Sequence, residues 1–271
     1  IAERYGCHVI SHKENLGLAS AFRSGVKTAL GMGADIVVNI DGDNQYRTEH
    51  IPELIAPILA GQADMVIGNR DIKRIPHFSL MKKFLQVIGS YTVRFITKTD
   101  VPDTVSGYRA YTKESLLKLS ITSQFSYVLD TLVQAKKKGL KIQNISVEVN
   151  PPTRESRLAR GMFDHIKRSL LDLFRVFLMY QPMKFFIYLA ITPILLAVLI
   201  MIRYLYFYVT GDGSGHIQSL IGAIVLFLLG LHFVTMGIIG DIIAKNRWLI
   251  EESLYLQKKR TYSDHGKRHE G

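Results

Sequence analysis

The sequence predicts an α/β domain with a mainly parallel sheet and helices on both faces, followed by an amphipathic helix and two transmembrane helices. Short apolar runs alternate with helical patterns in the first 160 residues, and two long uncharged stretches follow. Alternation of strands and helices is typical of a parallel sheet covered by helices. Because ligands of such sheets bind beyond the carboxyl ends of the strands, we expect the chemistry there.

The first elements follow from spacing and composition. Residues 1–5 resemble the end of a helix and residues 7–10 a strand, so we expect one or two βα units to precede this chain. Apolar residues at helical spacing then predict a helix that is capped by Asn15 and ends near Gly31. The continuous apolar run 36–40 predicts a strand that is buried on both faces.

Later elements are shorter or amphipathic. Pro52 suits the first turn of a helix that begins near His50. The other predicted elements are a strand at 65–68, a long amphipathic helix at 78–97, helices at 113–119 and 125–138, and a half-buried strand at 145–149.

Residues 185–202 and 217–240 carry no charge and are long enough to cross a hydrocarbon core of about 30 Å. A buried hairpin in a soluble protein is the alternative. The loop 210–216 lacks Lys and Arg, whereas basic residues flank the other ends of both stretches, so both termini are expected in the cytoplasm. Arg203 either reaches the headgroups near the outer end of its span or serves as a functional charge inside it.

The predicted organisation has four parts. Residues 1–160 form a cytoplasmic α/β domain, 161–183 an amphipathic juxtamembrane helix, 184–242 a transmembrane hairpin and 243–271 a basic cytoplasmic tail. The amphipathic helix suits the membrane interface, and packing on the soluble domain is its alternative.

The net charge of +11 does not indicate nucleic acid, because much of the excess lies beside the apolar stretches and suits anionic lipid. The first half also lacks a basic strip interleaved with aromatic residues. The single cysteine, Cys7, excludes an internal disulfide framework and fits a reducing cytoplasm.

Asp41 and Asp43 follow the predicted buried strand and are separated only by Gly42. Carboxylates two residues apart can project from the same side, and they repel each other unless a cation lies between them. Oxygen ligands suit Mg²⁺ or Mn²⁺, which commonly completes its shell with phosphate oxygens and water. The sequence therefore predicts a metal–diphosphate site here, with an ordinary turn as the alternative.

Six features in order along the chain carry a resemblance to a known family. They are residues 15–21 (NLGLASA), 41–45 (DGDNQ), 68–70 (GNR), 103–109 (DTVSGYR), 153–158 (TRESRL) and the paired C-terminal apolar stretches. The chain resembles family 2 glycosyltransferases of GT-A fold, and among them the polyprenyl-phosphate sugar transferases of the dolichol-phosphate mannose synthase type.

The resemblance implies a role for each matching residue. Asp41 and Asp43 would hold the metal and the donor diphosphate, and Asp43, Asp103 and Arg109 form the implied catalytic set. The remaining donor-binding residues are Asn15, Gly17, Gln45 and Arg70, and the acceptor- and phosphate-binding residues are Ser106, Gly107, Arg109, Arg154, Ser156 and Arg157. Asp103 either orients the acceptor or caps the turn at Ser106 and Gly107.

The reaction that the resemblance implies is inverting transfer of a hexose from a UDP- or GDP-linked donor to a polyprenyl phosphate. We expect it at the cytoplasmic face of a bacterial inner membrane, in the biosynthesis of cell-envelope glycans. The alternatives are a glycolipid synthase, a polysaccharide synthase and an inactive membrane scaffold. Relatives begin with a strand and a Pro-x-Tyr-Asn-Glu-like segment that is absent here, so the sequence predicts neither the nucleotide nor the sugar. It leaves the oligomeric state open, a homo-oligomer included.

Overall fold

A computed structural model describes residues 2–70, 101–121, 127–150, 171, 174–175, 178–211 and 213–268. The chain divides into two compact units. One comprises Ile1–Ser169 together with Glu251–Gly271, and the other comprises Leu170–Ile250.

The first unit contains the predicted alternation of strands and helices. Its described elements are α1 (Leu18–Gly31), β1 (Ile36–Asn39), α2 (Ile51–Leu59), β2 (Met65–Asn69), β3 (Arg109–Thr112), α3 (Lys113–Lys118), α4 (Tyr127–Lys137) and β4 (Ile142–Ser146), with short 3₁₀ turns at Ala2–Tyr5 and Thr48–His50. Pro52 lies in the first turn of α2, as its fixed φ and missing N–H predict.

The described strands form one mixed sheet in the order β1-β3-β2-β4. Strands β1, β2 and β4 run in the same direction, and β3 lies antiparallel between β1 and β2. Sequence analysis had no strand at β3, so it missed the mixed character of the sheet. The register of β3 pairs Arg109 with Asn39 of β1 and with Ile67 of β2. The carboxyl ends of β1 and β2 therefore meet the amino end of β3 at one edge.

The core beside this edge lies between α2 and the sheet. Leu54 of α2, Val66 of β2 and Ala110 of β3 are fully buried and belong to one apolar cluster with Tyr46 and Tyr108. Burying such side chains stabilises the domain by about 1.5–3 kcal/mol each. The cluster gives the ends of β1 and β2 a rigid base.

Several local predictions are wrong within the described residues. Strand β1 is half-buried and not buried on both faces, and the strand predicted at 145–149 lies three residues earlier, at Ile142–Ser146. Residues 7–10 are not a strand, because a strand persists only where a neighbour pairs with it, and no described strand pairs with this segment. Asn15 is not the cap of α1: the N-cap is Gly17, and the side chain of Asn15 instead accepts a hydrogen bond from the Gly17 N–H at 3.0 Å. The predicted helix at 78–97 lies outside the described residues, as does most of the predicted amphipathic helix.

The second unit contains helix α5 (Pro182–Val209) and the first part of helix α6 (Ile217–Arg268). Both helices are long and apolar enough to be candidate membrane spans. Helix α6 continues well beyond the apolar stretch 217–240. The predicted basic tail is therefore helical as far as Arg268, and from Glu251 onward it belongs to the first unit.

Candidate active site

The acidic loop, defined here as residues 41–45, begins two residues after the end of β1. Asp41 is half-buried, whereas Gly42, Asp43 and Asn44 are exposed. The side chain of Asp43 accepts a hydrogen bond from the Gln45 N–H at 3.0 Å, and Asn44 has a φ of 60°, in the left-handed region that asparagine tolerates. This tight turn places two acidic side chains at the edge where the strand ends.

Gly107 packs directly against the acidic loop. A methyl group built on it would lie 2.9 Å from Oδ2 of Asp41 and 3.1 Å from the hydroxyl of Tyr127. Contacts that short do not occur without movement, so only glycine lets the 103–109 segment approach the Asp41 carboxylate this closely. The structure therefore brings together Asp41 and Gly107, which sequence analysis assigned to donor and acceptor binding.

Asn39 is a site residue that sequence analysis did not identify. Its amide nitrogen donates to the Gly107 carbonyl at 2.7 Å and to the Tyr127 hydroxyl at 2.8 Å. The ring of Tyr127 stacks on Phe22 with centroids 4.2 Å apart. These contacts join β1, α1 and α4 beneath the acidic loop. A polar Asn inside an otherwise apolar strand was the available signal, since a buried amide needs hydrogen-bond partners.

Arg70 and Asp103 form a buried ion pair at the same edge. Nε of Arg70 donates to Asp103 Oδ2 at 2.6 Å and Nη2 donates to Oδ1 at 3.1 Å, a bidentate arrangement. The Asp103 side chain is fully buried, and that of Arg70 is only 8% exposed. Burial alone would lower the pKa of Arg70, but the hydrogen bonds and the charge of Asp103 outweigh it and raise that pKa. The Arg70 guanidinium is therefore held in its charged form.

Asp103 also accepts hydrogen bonds from the backbone N–H groups of Arg70 and Val105, at 3.4 and 3.3 Å. Sequence analysis left it either orienting the acceptor or capping the turn. The bond from Val105 is a local turn contact, two residues along the chain, so the capping alternative has direct support. Three of the hydrogen bonds that Asp103 accepts come from Arg70. Sequence analysis did not predict this ion pair.

Arg109 does not face the site as sequence analysis expected. Its side chain is fully buried. The guanidinium donates to the carbonyls of Ser106, Val128 and Thr104 and to the Thr131 hydroxyl, at 2.8 to 3.1 Å. The planar guanidinium therefore holds the surrounding backbone. Its donors find partners inside the domain, so the side chain can be buried there. In this geometry it is an anchor, not a phosphate ligand.

Tyr46 connects the acidic loop to the buried pair. Its hydroxyl lies 3.4 Å from the Ser106 hydroxyl, and the Arg70 guanidinium lies 5.9 Å from the centre of its ring. Burial raises the pKa of Tyr46, so the phenol is neutral at physiological pH. Ser106 itself is fully buried, and within the described part of the chain its hydroxyl contacts this tyrosine.

The end of the acidic loop and the chain just after it are held by the segment that follows β4. The Asn150 N–H donates to the Gln45 carbonyl at 2.9 Å, its amide donates to the Asn44 carbonyl at 3.0 Å, and Arg47 forms an exposed ion pair with Glu148 at 2.5 Å. An open groove lies here, lined by Asn44, Tyr46, Arg47, Thr48, Glu49, His50, Glu148 and Asn150. Neither Asp41 nor Arg70 lines this groove, so we assign the chemistry to the edge and not to the groove.

The electrostatics of the edge favour a cation. Burial, and then the negative charge of Asp43, raise the pKa of the Asp41 carboxyl, and the charge of Arg70 partly opposes them. Two carboxylates that disfavour each other's ionisation are stabilised when a divalent ion lies between them. The described residues contain no group of three or more His, Cys, Asp or Glu side chains that could hold a metal. Two carboxylates nevertheless fit Mg²⁺ when substrate phosphates and water supply its other ligands.

The remaining predicted site residues divide into two groups. Asn15 and Gly17 precede α1 in an exposed turn, where Gly17 has a φ of 83°. Arg154, Ser156 and Arg157 lie outside the described residues, so their predicted roles stay predictions.

Comparison with known proteins supports the resemblance seen in the motifs. The sequence model of the family "Glycosyl transferase family 2" matches residues 1–120. This part of the chain is therefore similar to family 2 glycosyltransferases, as its motifs indicated.

Among curated relatives, UDP-N-acetylglucosamine–dolichyl-phosphate N-acetylglucosaminyltransferase of Methanococcus voltae is 32% identical over 161 residues, 56% of this chain and 62% of that protein. Undecaprenyl-phosphate mannosyltransferase of Micrococcus luteus is 24% identical over 168 residues, 59% of this chain and 68% of that protein. Dodecaprenyl-phosphate galacturonate synthase of Rhizobium johnstonii is 23% identical over 249 residues, 90% of this chain and 71% of that protein.

The names of these three relatives each include a polyprenyl or dolichyl phosphate. The chain spans only about three fifths of the length of some of them, as the Methanococcus voltae enzyme illustrates with 62%. The family match covers residues 1–120, and the donor and the acceptor of this chain are inferred below.

Proposed function

We propose that this protein is a metal-dependent, inverting hexosyltransferase that moves a sugar from a UDP- or GDP-linked donor to a polyprenyl phosphate. The observation that carries the proposal is the edge of the sheet where the acidic loop, the Arg70–Asp103 pair and Gly107 meet. It offers two carboxylates for a cation and one guanidinium for a phosphate. The relatives' names support the lipid phosphate as acceptor.

In the proposed reaction, an oxygen of the lipid phosphate forms a bond to the anomeric carbon while the bond from that carbon to the nucleoside diphosphate breaks. The electron pair of the broken bond leaves with the diphosphate, and the configuration inverts. A phosphate monoester has a second pKa of about 6, so the lipid phosphate is largely ionised at neutral pH. It can therefore attack without a general base. The residues then contribute positioning and charge stabilisation.

Asp41 and Asp43 would hold Mg²⁺ or Mn²⁺, which when bound would neutralise charge on the diphosphate. Arg70 would bind a phosphate through the part of its fork that Asp103 leaves open, since a guanidinium has five N–H donors. Asp103 is not needed as a base in this scheme, because its two oxygens already hold Arg70.

We further propose that catalysis takes place at the cytoplasmic face of the inner membrane of a bacterium. Supporting this, residues 210–216 between the candidate spans contain no Lys or Arg, whereas Lys245, Arg247 and residues 258–260 follow the second one. A cysteine introduced at Ser214 should react with a membrane-impermeant maleimide in intact cells. If that cysteine were protected while Cys7 reacted from outside, the orientation would be the opposite of the one proposed.

The deciding experiment incubates membranes that contain the protein with a panel of labelled nucleotide-sugars and a polyprenyl phosphate. We expect label in an acid-labile lipid fraction for one donor and its loss on addition of EDTA. Labelled polymer would instead indicate a polysaccharide synthase, and label in a neutral glycolipid would indicate a glycolipid synthase. No labelling and no donor binding, with the upstream sequence of the protein present, would indicate an inactive scaffold.

The metal role has its own test in Asp43→Ala. We expect transfer to fall at least about 100-fold, in line with loss of a group that stabilises transition-state charge. The matched control is Asp35→Ala, which removes an exposed aspartate at the opposite end of β1 and should keep full activity. Substantial residual activity in Asp43→Ala would refute the metal role while leaving the transferase assignment standing.

A further inference from the structure

The last part of α6 carries a helical face that is turned toward the α/β domain. Residues Glu251, Tyr255, Lys258 and Tyr262 are buried or half-buried, and the residues between them are exposed. Their spacing of four, three and four residues places them on one side of a helix. We call residues 251–262 the C-terminal segment, and it lies in the same compact unit as the α/β domain.

The surface that receives this face is formed by Glu114, Lys118, Leu119 and Lys138, which we call the docking surface. Nζ of Lys138 lies 2.8 Å from Oε2 of Glu251, in a pair whose side chains are only 13% and 8% exposed. The Tyr255 hydroxyl donates to Glu114 at 2.5 Å, and Lys258 donates to the Leu119 carbonyl at 2.8 Å.

The chemistry of the contact is specific to a helix of this pattern. Lys138 also donates to the Lys118 carbonyl at 2.6 Å, so two ammonium groups satisfy carbonyls at the carboxyl end of α3. Cations suit that end of a helix because its last carbonyls lack intrahelical partners. Glu251 supplies the carboxylate beside them. Removing one partner of such a buried pair costs far more than removing an exposed charge.

The docking surface is connected to the site through the chain itself. Helix α3 follows β3 without an intervening residue, and β3 begins with Arg109. The guanidinium of Arg109 holds the backbone of residues 104 and 106 beside Gly107. An element that holds α3 in place therefore supports the strand from which this anchor extends.

We infer that the C-terminal segment is a built-in helical ligand of the docking surface and a structural element of the α/β domain. The domain requires it for full stability, and the surface accepts a helix with an acidic residue, a tyrosine four residues later and a lysine three residues after that. This inference is independent of the proposed sugar transfer, because its readout is unfolding.

The first test compares two truncations of the detergent-solubilised protein. A chain that ends at Ile250 should unfold about 5–10 °C lower than one that ends at Tyr262, because it lacks the buried ion pair and the hydrogen bonds of the segment. A synthetic peptide of residues 250–268, added in excess, should restore most of the difference. The same peptide with Glu251→Gln should not. Equal unfolding temperatures, or no recovery with either peptide, would overturn the inference.

The second test stays informative if the truncated chain does not fold. Glu251→Gln in the full chain should lower the unfolding temperature by several degrees, and the neighbouring exposed Glu252→Gln should leave it unchanged. Hydrogen exchange should show faster exchange in α3 for the Glu251 variant alone. If both variants behave alike, the pair with Lys138 does not hold the segment and the inference fails.

Discussion

The acidic loop and the 103–109 segment meet at the same edge of the sheet but are built in opposite ways. In the acidic loop, Gly42, Asp43 and Asn44 are exposed. In the other segment, Asp103, Ser106 and Arg109 are fully buried, and their polar atoms are hydrogen-bonded inside the protein. The exposed residues of the acidic loop can reach a ligand, whereas the buried residues of the 103–109 segment hold the acidic loop in position.

Arg70 stands between these two classes. It is nearly buried and bound by Asp103, yet its charge acts on Asp41 and its guanidinium lies over the ring of Tyr46. A fixed guanidinium next to a carboxylate pair is the arrangement that a diphosphate or a lipid phosphate would require. The two regions therefore depend on each other through this arginine.

The comparison predicts the largest loss of stability for Arg109→Lys. Lysine lacks the planar fork, so carbonyls of Ser106, Thr104 and Val128 would lose bonds in a dry interior, at a cost of about 3 kcal/mol in the free energy of unfolding. Chemical denaturation of the solubilised protein measures this value. The control is Arg23→Lys, whose arginine is exposed. Comparable losses in the two variants would mean that Arg109 does not anchor this backbone.

A smaller loss, about 2 kcal/mol, is expected for Asp103→Asn, because the charged hydrogen bonds to the buried Arg70 are weakened. A double-mutant cycle with Arg70→Met separates the pair from its surroundings. Since both single changes break the same interaction, the double variant should lose less stability than the sum of the single losses. Additive losses would mean that the two side chains act independently.

Gly107→Ala should cost about 1–2 kcal/mol, because its new methyl group would lie 2.9 Å from Asp41 and force the carboxylate aside. We also expect weaker binding of the metal–diphosphate, measured by calorimetry with Mg²⁺ and a nucleoside diphosphate. Gly42→Ala is the control for stability, since a methyl group there meets no atom within 4 Å. Unchanged stability in Gly107→Ala would show that the segment moves freely against the loop.

The smallest effect concerns pH in the metal-free protein. The pKa of Asp41 is raised by burial and by Asp43, so the folded state binds this proton more tightly than the unfolded state does. Stability should therefore fall as pH rises from the ordinary aspartate range through the raised pKa, and then level off. Asp41→Asn should remove this slope from denaturation curves recorded in EDTA. A slope of the opposite sign would mean that the loop already holds a compensating positive charge.

Local patterns were enough to predict several elements. Most of the apolar run before Asp41 became β1, although the strand is half-buried and not buried on both faces. Pro52 lies in the first turn of α2, and the two uncharged stretches lie in long apolar helices. These predictions rest on period and turn chemistry, which act over a few residues. The strand at residues 7–10 failed because strand formation needs a pairing partner, and the sequence of one segment does not show which partner is available.

The site residues also divide into those that local sequence predicts and those that only the fold explains. The sequence by itself determined the resemblance to family 2 glycosyltransferases, the two acidic residues after β1 and the candidate spans, because each is written in a contiguous motif or a composition. Only the tertiary structure decided that Arg109 points inward, that Asn39 and Tyr127 support Gly107, and that the end of α6 belongs to the α/β domain. The physical reason is that burial and hydrogen-bond partners depend on residues far apart in the chain, so the same arginine can serve as ligand or as anchor until its neighbours are known.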